Sequence, residues 1–256
     1  MILNFEAGSC NLSFRRMIGT ALNAAGIVLG GIVGLMRRRP LPAASEAFFK
    51  VALGAFTVFY GLRLTWISVS GSSFQILKQL LIAVLAMMLG RLAGRLAQLQ
   101  KMSNRLGRGA RERMAGAKPD DPRRISEGFK TCAVLFCAAP LGILGAVQDG
   151  LSGYFYPLVV KGLIDGFATL GFARMFGWGV IMAALPVLAF QGTITLACAH
   201  FIEPFLRSRG LVDSVNAAGG LLVFSVALVI LDLKRVELAD YLPTLLFAPL
   251  ITAIWR

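Results

Sequence analysis

An all-α, polytopic transmembrane bundle of seven to eight spans is what this sequence predicts, and three observations carry the prediction. Apolar residues fill 57% of the 256 positions and charged residues only 15%, for a mean hydropathy of +0.72; soluble domains carry about 25% charge. Several apolar runs reach the roughly 20 residues that a helix needs to cross a hydrocarbon core. Nearly all Lys and Arg fall between those runs or at their ends. In a soluble chain a net charge of +13 would point to nucleic acid. Placed between apolar spans, it sets topology and meets anionic lipid headgroups instead, so nucleic-acid binding is not expected.

The first span runs from about Met17 to Met36 without a charge and stops at Arg37-Arg38-Arg39-Pro40. The second covers Phe48 to Ile67, with Lys50 and Arg63 near its ends, where long stems reach the headgroups. The third starts near Phe74, stays apolar to Gly90 and becomes basic at Arg91 and Arg95. Residues 99–127 are polar, rich in Arg and Gly, and contain Pro119-Asp120-Asp121-Pro122, which reads as a solvated basic loop. The fourth span is Thr131 to Val147. A short turn, Gln148 to Gly153, leads to the fifth, Tyr154 to Phe172. Met175 to Ala199 is the sixth, interrupted by Pro186; Ser214 to Leu231 is the seventh; Tyr241 to Trp255 is a short eighth with Pro243 and Pro249. The chain thus divides into an N-terminal extension (1–16), spans one to three (17–98), the basic loop (99–127) and spans four to eight (128–256).

Orientation follows from the basic residues. With the loop after span one in the cytoplasm and eight crossings, eighteen Lys and Arg lie inside, eleven of them between Arg91 and Lys130, and seven lie outside. This places both termini outside, and the C-terminus inside if the eighth span re-enters. The first sixteen residues contain Asn4, Glu6 and Asn11 and lack the apolar stretch of a secretory signal. They read either as an interfacial arm or as sequence upstream of a natural start at Met17.

Polar side chains at membrane depth are costly, so each is a candidate for function. Lys161 and Asp165 stand one helical turn apart and can pair. Gln148 and Asp149 lie at the outer end of span four, where water reaches, or simply end that helix. Gln191, Thr193 and Thr195 follow Pro186, and a loosened helix can present backbone groups to a solute; interhelical hydrogen bonding is the plainer use. Asn23 and Asn216 are read as helix caps. Gly26, Gly30 and Gly34 have the spacing of close helix packing. Cys10, Cys132, Cys137 and Cys198 lack metal spacing, as do His200 and Glu203, so no metal or cofactor is expected. A protease reading would need Asp149 and Asp165 at one depth to share a proton. The predicted topology separates them, so no enzymatic activity is expected.

Val51 to Phe59 in span two aligns with Asn216 to Phe224 in span seven, with Ala52/Ala217, Gly54/Gly219, Val58/Val223 and Phe59/Phe224 identical. The match marks a candidate inverted repeat, spans one to three against six to eight; chance similarity among Ala, Gly, Val and Phe is the alternative.

Met17 to Gly31, Ile143 to Leu151, Lys161 to Gly166, Pro186 to Thr195 and Ala217 to Gly220 occur in one order along the chain. This series resembles the YdfK/YqgA-like bacterial membrane proteins, the family designated domain of unknown function DUF554. The resemblance implies an inner-membrane protein of seven or eight spans and supplies no activity. From the residues themselves the expected function is a transporter or channel for a small solute or ion. Its path would be lined by Gln148, Asp149, Lys161, Asp165, Gln191, Thr193 and Thr195. A membrane scaffold or regulator that binds lipid or a partner through the basic loop is the other reading. The expected partners are the bilayer, anionic headgroups and an unidentified solute or ion, and a homo-oligomer is compatible with them.

Overall fold

The computed structural model describes residues 17–37, 42–116 and 122–255, and all regular structure among them is helical. Residues 1–16, and with them the reading of the extension, lie outside the described residues. Five described helical segments are long and apolar enough to cross a membrane, and a bent pair makes a sixth. The chain is a polytopic membrane protein.

Its elements fall into two interleaved compact units, one formed by residues 1–40 and 106–203, the other by 41–105 and 204–256. The first unit contains α1 (Ile18–Met36), and the second contains α2 (Ala43–Ile67) and α3 (Ser73–Leu96). A capping box starts α3: Gln75 N–H donates to Ser72 Oγ, and the Gln75 side chain accepts from Ser72 N–H. Gln98, at φ 56°, turns the chain into α4 (Leu99–Ala115), a helix divided between the two units. The expected solvated loop is therefore helical over most of its length. Its Pro residues come only at Pro119 and Pro122, and its Arg, Lys, Leu, Met and Gln are sound helix formers.

The fourth predicted span is two helices, α5 (Arg124–Cys137) and α6 (Pro140–Ser152), bent by 57°. Pro140 has no N–H to continue α5 and sits at the first turn of α6, where none is needed. The predicted turn at 148–153 also moves, because α6 continues through Ser152 and is capped by Gly153 at φ 69°.

The helical stretch Tyr156–Ser208 has 53 residues, about 80 Å at 1.5 Å per residue against a core of about 30 Å. It divides at Gly177, φ 77°, between α7 (Tyr156–Phe176) and a 3₁₀ turn, Gly177–Ala183. Beyond the turn come α8 (Ala184–Ala197), a π turn (Cys198–Ile202) and α9 (Glu203–Ser208). Pro186 does not break the segment: it lies in the first turn of α8. The second unit is completed by α10 (Val212–Ile230), a 3₁₀ turn (Leu238–Tyr241) and the short α11 (Thr244–Ile254).

Contacts fix helix direction within each unit. In the first, Gly26 packs on Gly162, Gly30 on Gly166 and Gly34 on Leu170, so α1 and α7 run parallel with their backbones in contact. Asn23 meets Gln191 and Thr20 meets Thr195, so α8 runs antiparallel to α1. In the second, Thr65 donates to Ala217 O at 3.1 Å and Gly54 packs on Leu231, which makes α2 and α10 antiparallel. The helices that contain the two matched segments thus pack against each other. Likewise Gly90 meets Thr244 and Gly94 meets Asp240, so α3 and α11 are antiparallel.

Candidate functional site

The first unit carries polar side chains along its interior at helical spacing. On α1 they are Thr20 and Asn23; on α6, Gln148 and Asp149; on α7, Lys161, Asp165 and Thr169; on α8, Gln191 and Thr195. All nine are buried, and none exceeds 3% exposure. Three or four residues separate neighbours on α1, α7 and α8, which places them on one face of each helix.

At one level, Gly19 N–H donates to Asp149 Oδ2 at 3.2 Å, Thr20 and Thr195 hydroxyls lie 3.4 Å apart, and Thr195 Oγ1 donates to Ala146 O at 3.2 Å. Deeper in the unit, Asn23 Nδ2 donates to Gln191 Oε1 at 2.9 Å. Lys161 pairs with Asp165, its ammonium 5.4 Å from the centre of the Phe136 ring. Below them Thr169 Oγ1 donates to Asp165 O at 2.6 Å, and the Thr169 methyl faces Gly31. From Gly19 to Gly31 is twelve residues of α1, about 18 Å, more than half of a hydrocarbon core of about 30 Å. The groups form one column.

Gly142, in the first turn of α6, makes room for it. A Cβ there would come within 2.8 Å of Gln191 Nε2 and 3.5 Å of Lys161 Cε. Gln191, Lys161 and the start of the bent helix therefore converge.

The column is not satisfied by the described residues alone. Gln148 is fully buried, and among the described residues neither its Nε2 nor its Oε1 has a hydrogen-bond partner; Asn23 Oδ1 and Gln191 Nε2 are likewise unpartnered there. An orphaned buried polar group costs about 1–3 kcal/mol, so four such atoms on three amides are a sizeable expense within one unit.

Six of the seven side chains expected to line a path lie in this column: Gln148, Asp149, Lys161, Asp165, Gln191 and Thr195. Thr193 does not. It is exposed on α8, and its hydroxyl donates to Ala189 O one turn back, at 2.7 Å. The water-exposed turn expected at Gln148 and Asp149 is a buried helical segment. Asn23, expected as a cap, lies within α1 and holds Gln191; its signal was an amide inside an otherwise uncharged span. Asn216 also lies inside its helix, α10, with Oδ1 unpartnered among the described residues. Cys132 and Cys198 are buried free thiols, in keeping with packing. His200 is exposed, its Nδ1 2.9 Å from Leu196 O.

The profile described as Protein of unknown function (DUF554) matches residues 18–253. The chain belongs to this family. Its column, from Gly19 to Thr195, falls wholly within the DUF554 match. Uncharacterized membrane protein YdfK of Bacillus subtilis is 28% identical over 235 residues, covering 92% of this chain and 95% of that one. Uncharacterized protein YqgA of Escherichia coli is 29% identical over 241 residues, covering 93% and 97%. No solved structure matches this DUF554 chain.

Proposed function

We propose that this DUF554 protein is a transporter or channel that moves a small solute or ion along the polar column of its first unit. The observation that carries the reading is a buried column in which amides on α1, α6 and α8 keep polar atoms without a hydrogen-bond partner among the described residues, in the same column as the Lys161–Asp165 pair. A purely structural network completes its hydrogen bonds, because a half-satisfied buried network is less stable than an apolar core. Groups left open are ones that water or a solute completes. The bend between α5 and α6 supports the same reading, since interrupted helices in transporters bring backbone groups to the binding site. The column is read as a path and not as a catalytic centre. Asp149 lies at the Gly19 level and Asp165 well below it, too far apart to share a proton. The protein resides in the bacterial inner membrane with α4 in the cytoplasm, the side that the excess of Lys and Arg marks.

Single cysteines at Gln148, Gln191 and Thr195 in membrane vesicles test the reading against a small hydrophilic thiol reagent, with Thr193→Cys as the comparison. The column positions react, and Thr193→Cys, on the exposed apolar face, does not. A column closed to the reagent from both sides in a folded protein would sink the transport reading.

One observation favours a second reading, a scaffold or regulator: α4 exposes Lys101, Arg105, Arg108, Arg111 and Arg113, a basic face suited to a lipid surface or an acidic partner. Neutralising those residues abolishes function under this reading and leaves solute flux unchanged under the first.

A further inference from the structure

The second unit carries a basic groove that neither reading uses. It is about 440 Å³ in volume and is walled by Arg91 and Arg95 from α3, by Ser225 and Leu228 from α10, and by the segment Lys234–Glu237 with Tyr241. Arg91 and Arg95 are one turn apart on one helix face. Both reach Glu237, at 3.5 and 3.6 Å, and the Arg91 guanidinium lies over the Tyr241 ring, 5.6 Å from its centre. One carboxylate thus faces four cations. Lys234 and Arg235 are exposed and have no ion-pair partner among the described residues, and Arg91 Nε is a buried donor without a hydrogen bond. Cations past the end of α10 would serve its helix dipole, but that accounts for neither Arg91 and Arg95 nor the open Nε. Beside the groove the surface turns apolar: Met88, Leu92 and Leu96 on α3 and Leu233 beyond α10 are all more than half exposed.

We propose that this groove binds the phosphate headgroup of an anionic phospholipid, with the acyl chains lying on the exposed face of Met88, Leu92 and Leu96. Arginine forks match phosphate oxygens in pairs, and Lys234 and Arg235 add charge from the opposite wall. The groove sits where span three ends in basic residues, the headgroup level of the leaflet that the charge distribution assigns to the cytoplasm. An apolar apron beside a cationic groove fits an amphiphile better than free phosphate.

The test is thermal unfolding of the purified full-length protein in neutral detergent, with phosphatidylglycerol, phosphatidylcholine or inorganic phosphate added. Phosphatidylglycerol at saturation raises Tm by about 5 °C or more, and phosphatidylcholine does not. Lys234→Gln with Arg235→Gln, which breaks no ion pair, loses most of that rise and keeps the Tm measured in detergent alone. Adding Arg91→Gln and Arg95→Gln removes the remainder. A control in which Arg105, Arg108, Arg111 and Arg113 of α4 all become Gln keeps the full rise. A rise that survives in the groove variants, or one lost only in the α4 control, overturns the proposal. An equal rise with inorganic phosphate also overturns it, in favour of a soluble phosphate ligand.

Discussion

Lys161 and Asp165 share one turn of α7 at 2% and 3% exposure, where neither charge is tolerable alone. Removing one partner of a buried pair strands the other and commonly costs about 3–5 kcal/mol, whereas replacing both with apolar groups of similar size is often close to neutral. Lys161→Met and Asp165→Leu should therefore each lower the Tm of the purified protein by more than the double variant does. Singles as stable as the wild type would mean that the pair contributes nothing. In a transporter the double variant folds and carries no solute; in a scaffold it retains function. The pair was legible in the sequence because one helical turn separates the two charges within an apolar run. The burial of Gln148 and Asp149 was not. Next to Gly150 and Gly153 they have the composition of a turn, and only contact with α1 and the π turn shows them to be interior. Asn23 was misplaced for a related reason: side-chain type suggests a cap, but the helix begins five residues earlier, at Ile18.

Between α1 and α7 the chain places glycine against glycine. A Cβ at Gly30 would fall on the carbonyl of Gly166, and backbone cannot swing aside as a side chain can. Gly30→Ala should cost about 1–3 kcal/mol, the usual range for overpacking. Gly171 on the same α7 faces open space, so Gly171→Ala should be neutral or stabilising by about 0.5–1 kcal/mol through helix propensity. Paired melting curves in detergent check this, and equal losses at both sites would mean that propensity, not contact, governs. The spacing of Gly26, Gly30 and Gly34 announced a close packing seam, but not the helix that fills it. That partner, α7, lies more than a hundred residues away. Elsewhere, local signals misled. Glycine and arginine made 99–115 look like loop, yet Gly107 and Gly109 meet nothing within 4 Å and a helix tolerates them there at a propensity cost of about 1 kcal/mol each. Pro140, inside an apolar run, marks where a helix stops or kinks, but not that the bend reaches 57°.

For the whole molecule, apolar runs and basic clusters were enough to establish a membrane-embedded helical protein, because hydrophobic length and charge placement are properties of the chain itself. Sidedness is checked by cysteine labelling in a background whose native cysteines have been replaced. Ser103→Cys, on α4, should react in intact cells only with membrane-permeant reagents, and Ser152→Cys, at the end of α6, should also react with impermeant ones. The reverse pattern would invert the orientation. Packing was beyond the reach of local patterns because the two units are interleaved. Asn23 finds Gln191 168 residues later, and Thr65 finds Ala217 152 residues later.

That separation has a consequence during biosynthesis. At about 5–20 residues per second, α1 waits roughly 7–27 s for α7, with its glycine seam bare, and roughly 8–34 s for Gln191 of α8, with Asn23 unpartnered. In water an apolar helix left uncovered for that long invites aggregation. In a bilayer the acyl chains cover it at little cost, since lipid is as apolar as the partner helix. Wiring that would be hazardous for a soluble nascent chain is therefore tolerable here, and the first unit is completed, at Glu203, before the ribosome has supplied α10 and α11 to the second.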